Sequence, residues 1–424
     1  MKSIIILSPY YHPESSAGAK RITAIAQHLA GRNWNVTVVT HHPHYPRNAI
    51  YSGFADLPSP YVSNQDGVEV VRIRPWLVPR ANLALRLLSE ALFSGQATLQ
   101  VFRRKADIVL ASSPYMFLGL AGILAARIKN ARFVWDVRDL TWLYPRAAGK
   151  RTFGMDRLLE SVMQCVAHRA DALSTATEGL SRYFPRKPRR CIVLPNGVSE
   201  ELLRGLAALN PPASEAPPHV LYAGLFGYNH GLTTLLEAAK RLPGVRFTLA
   251  GDGPERETLE SLAESYQLAN VVFVGHLSDH ELLHEYSEAT LLVSLVRRDP
   301  IFKWTQPAKL WEYMATGRPT LHAGEGEVAK IVEEHGIGVI VPPEDPKALA
   351  EAILSILENP EEARRMGMKG RTFVETHRNR RFLMASLDKL LDEVLAQTIA
   401  GRPEVSDSLR FSRFGRHGVK HRDK

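Results

Sequence analysis

An α/β chain built as two doubly wound halves is the fold this sequence predicts, and three observations carry it. Short apolar runs recur with helical patterns between them. The runs are near-continuous Val, Ile and Leu, as expected of strands in a parallel sheet covered on both faces. The alternation breaks once, at a proline-rich segment, and then restarts. Length agrees, since 424 residues exceed the roughly 250–300 at which a single core stops growing.

In the first half, SIIILS, NVTVVT, VEVVRI, DIVLAS, RFVWDV, ALSTAT and CIVL, the last ending at Leu194, read as strands. The helix after Gly18 sets Ile22, Ile25 and Leu29 three and four residues apart, one apolar stripe to lie on a sheet. Right-handed crossovers then follow for parallel strands, giving an N-terminal domain over 1–207. ALNPPASEAPP, 208–218, carries four prolines and few large apolar residues, the composition of a linker.

After it HVLYAG, VRFTLAG, NVVFVGH, TLLVSL, PTLHA and GVIV read as strands, with helices at Gly231–Leu242, Pro254–Leu268, Asp279–Glu288 and Pro307–Thr316. A second doubly wound domain is expected over 219–377, closing with helices Asp345–Leu357 and Pro360–Glu375. A last helix, Arg380–Leu395 within 378–400, is long enough to pack back on the first domain. Residues 401–424 hold seven Lys and Arg against three acids and read as a disordered basic tail, whose ordinary role is solubility.

Composition narrows the function. Hydrophobic residues are 45% and charged residues 23%, which excludes a largely disordered chain. Two cysteines, Cys165 and Cys191, make neither a zinc spacing nor a disulfide scaffold, and fit a reducing cytoplasm. The apolar run of MKSIIILS ends at Pro9, His12, Pro13 and Glu14, so it reads as a strand and not as a signal peptide. No run of roughly 18 apolar residues suits a spanning helix. The formal charge of +9 favours anionic ligands or lipid headgroups, leaving a peripheral contact with an anionic membrane open, while no nucleic-acid module is present.

Chemistry is expected in the loops beyond the carboxyl ends of the strands. SPYYHPESSAGAKR places Tyr10, Tyr11, His12 and Glu14 before Gly18, where a glycine permits close approach to an anion. HHPHYPRN crowds His41, His42, His44, Tyr45 and Arg47; the spacing matches no zinc pattern, so hydrogen bonding to a hydroxyl-rich or phosphorylated ligand is the better reading. WDVRDLTW brings the pair Arg138 and Asp139 among apolar neighbours, either a site or an internal salt bridge. Gly251, Asp252, Gly253 and Pro254 form a glycine-rich turn. In QPAKLWEYMATGRP, Pro307 suits a first helical position and Gly317 a helix end, so Lys309 and Glu312 share one face near a positive helix terminus able to hold phosphate.

GDGPERE, VVFVGHLSDHELLHEYSEA and PAKLWEYMATGRP, in that order, resemble the nucleotide-sugar half of the family-4 retaining glycosyltransferases. YYHPESSAGAKR, THHPHYPRNAIYSGF, VRDL and VLPNGV look like its branch of colanic-acid, O-antigen and capsule amino-sugar transferases, and the similarity spans about Lys2 to Leu395. The resemblance implies two facing Rossmann-like domains of GT-B architecture, with a nucleoside-diphosphate-sugar donor, uridine-linked by expectation, held by the second and a glycan or polyprenyl-diphosphate-linked acceptor by the first. It implies retention, no bound metal and no cofactor. It assigns the donor to Gly18, Gly224, His230, Gly251, Gly253, Gly275, Pro307, Ala308, Lys309, Leu310 and Glu312, with Glu312 on the ribose and Lys309 on the diphosphate. Tyr11, Glu14, His44, Tyr45 and Arg138 fall to the acceptor, and Asp139, His12 and Lys309 to catalysis.

Three positions depart from the family pattern. Trp304 stands where the first Glu of the E-x7-E motif would fall, and Leu225 and His230 stand where an Arg and a Lys usually grip the diphosphate. Arg256, Arg297, Arg298 or Lys309 could supply that charge instead. A nucleotide-sugar epimerase or phosphorylase of the same fold, or an inactive relative acting as a scaffold, are the alternatives.

Overall fold

The structure is a computed structural model, and it describes residues 1–46, 48–79, 82–147, 149, 154–209 and 217–396. The core of the proline-rich linker, 210–216, and the basic tail lie outside the described residues.

The first sheet comprises β1 (Ser3–Leu7), β2 (Asn35–His41), β3 (Tyr61–Gln65), β4 (Val68–Ile73), β5 (Ile108–Ser112), β6 (Arg132–Val137), β7 (Ala172–Thr175) and β8 (Cys191–Val193). Their order is β3-β4-β2-β1-β5-β6-β7-β8, and every pairing is parallel except β3 with β4. The second sheet comprises β9 (His219–Ala223), β10 (Arg246–Ala250), β11 (Val271–Gly275), β12 (Leu291–Leu295), β13 (Thr320–Ala323) and β14 (Val339–Val341). Its order, β11-β10-β9-β12-β13-β14, is wholly parallel. Both sheets therefore reverse their winding once, between β1 and β5 and between β9 and β12.

Helices α1 (Ala17–Gly31), α2 (Leu83–Val101), α3 (Phe117–Lys129), α4 (Tyr144–Ala147), α5 (Met155–Arg169) and α6 (Glu178–Tyr183) belong to the first half. There follow α7 (Glu200–Ala207), α8 (Thr233–Arg241), α9 (Arg256–Ser265), α10 (Asp279–Glu288), α11 (Ala308–Ala315), α12 (Glu327–His335), α13 (Pro346–Glu358), α14 (Pro360–His377) and α15 (Arg380–Leu395). Each sheet is covered on both faces, which is why its strands are apolar throughout. On the first, Phe93, Ala97, Leu118 and Val166 pack one face and Ile22, Leu29, Leu387 and Leu391 the other. On the second, Leu235, Leu259 and Leu349 pack one face and Leu310, Met314 and Val332 the other.

β3 has no counterpart in the sequence reading, because its half-exposed YVSNQ is not an apolar run. Asp66 and Gly67, with φ of 51° and 81°, turn it back on β4 as an edge hairpin. The boundary of the first domain at 207 is corrected as well. Val198 and the apolar side of α7, Leu203 and Leu206, pack into the core of the second half with Tyr286 and Leu292. The chain has crossed by then: Val198 N donates to Arg378 O at 2.8 Å and Arg380 N to Val198 O at 2.9 Å, so outgoing and returning strands run side by side. α15 then packs on the first sheet through Met384, Leu387, Leu390, Leu391 and Val394.

Candidate active site

A cavity of ≈ 390 Å³ lies between the two sheets, and its lining names its origin. Ser15, Ser16 and Ala17 follow β1, Tyr45 follows β2, Arg138 and Asp139 follow β6, and Asn196 follows β8. Gly224, Leu225 and His230 follow β9, Gly251 and Asp252 follow β10, and His276 follows β11. The carboxyl ends of both sheets thus face one cleft at their winding reversals, where parallel α/β sheets bind ligands.

α11 forms the second-half wall. Pro307 is its N-cap, with φ −62° and ψ 116°, rather than its first helical residue. Leu310, Trp311, Tyr313 and Met314 bury the back of the helix. Tyr313 Oη accepts from Ala223 N at 2.8 Å and donates to Ala223 O at 2.7 Å, pinning the helix to the end of β9. That leaves Pro307, Ala308, Lys309 and Glu312 on the cleft. Leu310, expected at the donor, is in the core: its position one past Lys309 turns it about 100° away.

Lys309 Nζ donates to Tyr222 Oη and sits over that ring, 4.0 Å from its centroid. Burial, against only a partial offset from Glu312, pulls its ammonium down to about 7 from 10.5. A side chain at Gly224 would collide with this ammonium, so the bare backbone there is what admits it. His230 is held neutral, well below the usual imidazole range, by burial and by the nearby Lys309. Its Nδ1 is buried with no partner among the described residues.

Across the cleft, Lys20 on α1 makes a 2.9 Å ion pair with Glu312 Oε1, and Arg138 lines the opposite wall. Arg138 N donates to Ser113 Oγ at 2.9 Å and its Nε to Ser113 O at 3.0 Å. Burial raises the Asp139 carboxyl, opposed by Arg138 and by the Tyr144 hydroxyl, which also reaches Thr305 of the second half. Asn196 N donates to Gln306 Oε1 at 2.8 Å and its Nδ2 to Gln306 O at 2.9 Å, joining the crossing strand to the start of α11.

Several expected site residues lie elsewhere. Tyr11 is packed in the first core under Arg72, and burial pushes its hydroxyl up to about 12. His12 is exposed and away from the cleft lining, its backbone N bound to Thr23 Oγ1 at 3.1 Å. Glu14 accepts from His44 N and Tyr45 N, both at 2.9 Å, and so shapes the loop that presents Tyr45 without lining the cavity. His44 is turned inward, Nδ1 on His42 O at 3.0 Å with its ring against His41. Gly18 lies beneath Arg138, whose guanidinium occupies the place of any side chain there. Gly253 and Gly275 support the turn and do not line the cavity; Gly275 O accepts from Gly251 N at 2.6 Å.

Of the four alternative cations, Lys309 lines the cavity and the three arginines are engaged elsewhere. Arg256 pairs with Glu260 at 2.7 Å, Arg297 bonds Tyr228 O at 2.5 Å, and Arg298 bonds Pro343 O at 2.8 Å. Trp304 ends a 3-10 turn, Pro300–Trp304, with its ring 5.4 Å from Tyr183 and tight against Gly179 of α6, so it joins the halves and leaves the cavity. Lys20, Tyr144, Asn196 and Gln306 were missed. Lys20 and Tyr144 carry no local motif, whereas the PNG run before a predicted domain boundary was a usable signal for Asn196.

Comparison with known proteins agrees with this two-sheet fold. The colanic acid biosynthesis glycosyl transferase named WcaI, from Escherichia coli K12, is 24% identical over 380 residues, 84% of this chain and 92% of its own. Sucrose-phosphate synthase from Thermosynechococcus elongatus superposes with a TM-score of 0.74 at 22% identity, over 93% of this chain and 100% of that one. HepE of Anabaena, solved with UDP-glucose, gives 0.68 at 17% identity over 93% and 100%. The Glycosyl transferase 4-like domain matches residues 16–197 and the Glycosyl transferases group 1 domain matches 210–373, one on each sheet, and the chain therefore belongs to the family-4 glycosyltransferases of GT-B fold.

Proposed function

We propose that the protein moves a sugar from a nucleoside-diphosphate donor, uridine-linked, to a glycan or lipid-linked acceptor in surface polysaccharide biosynthesis, with retention and without a bound metal. The observation that carries this reading is the set of cations on the cleft, Lys309 from one half and Lys20 and Arg138 from the other, converging with the N-terminal end of α11. A diphosphate developing negative charge is stabilised by such preorganised groups without solvent rearrangement. The permanent charges absent at Leu225 and His230 are thereby supplied from other positions.

In this reading Glu312 accepts from the ribose hydroxyls and Lys309 donates to the diphosphate. Asp139 and Tyr45 face the acceptor, while Arg138, which the family pattern gives to the acceptor, serves the diphosphate. The bond from the anomeric carbon to the diphosphate breaks with its electron pair leaving on the phosphate oxygen. The acceptor hydroxyl oxygen bonds that carbon from the same side, and its proton passes to the departing diphosphate. The name of the Escherichia coli relative supports surface polysaccharide as the pathway class, and the ligand in the HepE structure supports a uridine donor.

The test is mass spectrometry of products from purified protein, a panel of nucleoside-diphosphate sugars and a lipid-diphosphate-sugar acceptor, with and without EDTA. A transferred sugar, released nucleoside diphosphate and indifference to EDTA are expected. A donor sugar altered with no acceptor present, or no turnover of any donor, would overturn the reading.

A further inference from the structure

We propose that the outer surface of α2, α3 and α5 lies on an anionic lipid bilayer. These helices form one layer over the first sheet, their inner faces buried through Phe93, Ala97, Leu118 and Val166. Their outer faces are apolar as well: Leu88, Leu92 and Leu99 on α2, Leu120 and Leu124 on α3 and Leu158 on α5 are each between 42% and 61% exposed. The spacings, four and seven on α2 and four on α3, put each set on one side of its helix. Of the 18 large apolar side chains exposed among the described residues, eight lie on these three helices and a ninth, Phe102, caps α2. Isolated exposed leucines mean little, but a concentration on one layer marks a surface that meets something.

The charges say what it meets. Arg86, Arg103 and Arg127 are exposed along this layer. Glu90 is the single acid between Leu83 and Lys105, and it is buried, accepting from Met116 N at 3.2 Å. α3 carries no acid at all. On α5, Glu160 accepts from Tyr183 Oη at 2.6 Å and Asp156 lies 3.9 Å from Arg146. Exposed leucines flanked by cations without competing carboxylates match a membrane surface: acyl chains take the leucines, and arginine stems lie along them with guanidinium heads among lipid phosphates. A protein interface would instead centre on aromatic anchors, which this layer has only at its edge. No helix among the described residues is long and apolar enough to cross a membrane, so the contact is along the helices.

This inference goes beyond the proposed reaction, and its readout needs neither donor nor acceptor. The full-length protein should float with vesicles of phosphatidylglycerol and phosphatidylcholine and much less with phosphatidylcholine alone. The triple variant Leu92→Gln, Leu124→Gln, Leu158→Gln, all at exposed positions, should melt like the wild type and bind anionic vesicles about tenfold more weakly or worse. A full-length variant with the seven Lys and Arg of 401–424 changed to Gln should still float. Three results overturn the proposal: undiminished flotation of the triple variant, loss of flotation only in the tail variant, or a wild-type dimer that the triple substitution dissolves with no vesicle binding by either protein. Sugar transfer to a soluble acceptor reports separately on the proposed reaction.

Discussion

Lys20 Nζ on α1 and Glu312 Oε1 on α11 meet at 2.9 Å across the cleft, one from each half of the molecule. Glu312, with some help from a hydrogen bond between the two, holds the lysine more firmly charged. Such a partly exposed pair is worth only about 0–1 kcal/mol, so it closes the cleft weakly and gives way to a ligand. A ribose on Glu312 would release Lys20 toward the diphosphate. Glu312→Ala should then weaken binding of a nucleoside diphosphate about 10–100-fold, the loss of hydrogen bonds to a charged group, and leave inorganic pyrophosphate binding nearly unchanged. Calorimetric titration of both ligands decides it, and an equal loss for both would remove the ribose from Glu312.

Lys309 presents a conflict between stability and function. Its ammonium is pulled down to about 7, so the folded protein holds fewer protons than the unfolded chain between that value and 10.5. The destabilisation is full below about pH 7 and fades as pH rises toward 10.5, which makes wild-type stability increase across that window. Lys309→Met keeps the packing against Tyr222 and removes the charge. The variant should melt higher than the wild type at pH 7, with the gap narrowing toward pH 10, while turnover falls about 10²–10³-fold. A variant that melts lower at pH 7 would show that the lysine stabilises the empty cleft.

How much of this was legible depends on whether a feature is local. The strand alternation is local, so the strands of both sheets were readable except β3, whose half-exposed edge carries no apolar run. Lys309, Glu312, His230 and Gly251 sit in loops and a helix start that the residue order marks, and the structure brings all four to the cleft. The first-half loops misled because residue type does not give direction. Tyr11, Glu14 and His44 are as polar as Tyr45, yet Glu14 turns inward to bind the backbone of His44 and Tyr45, so only Tyr45 of this group reaches the cavity. Lys20 was invisible because its partner is 292 residues away.

Beneath the cleft, Arg21 and Asp136 carry the position of α1. Arg21 Nη2 and Nε reach the two carboxylate oxygens at 2.7 and 3.1 Å, Ser112 Oγ adds 2.8 Å, and Arg21 Nη1 bonds Leu194 O at 2.8 Å. Burial alone would raise the Asp136 carboxyl, but the guanidinium beside it holds it below its ordinary value. Asp136→Ala strands a buried guanidinium and should cost about 3–5 kcal/mol in urea unfolding. Because Lys20 is the neighbour of Arg21, surviving protein should also lose donor affinity. A loss under about 1 kcal/mol would mean that water replaces the carboxylate.

Glu14 gives the opposite sign of pH dependence. Burial, against hydrogen bonds from His44 N and Tyr45 N, raises its carboxyl to about 7 from 4.5. The folded protein therefore holds more protons than the unfolded chain between 4.5 and 7, and stability is lost as pH rises through that interval. Glu14→Gln keeps a carbonyl oxygen to accept both backbone N–H groups and buries no charge. Its melting temperature should match or fall below the wild type at pH 4.5 and exceed it at pH 8, the gain being on the order of 3 kcal/mol at most, since one pKa unit is worth about 1.4 kcal/mol. The ordering of the Tyr45 loop should survive, so turnover should change by no more than a few fold. If the variant is less stable than the wild type at pH 8, the carboxylate is held by an attraction, from Arg72 or the loop amides, stronger than its burial.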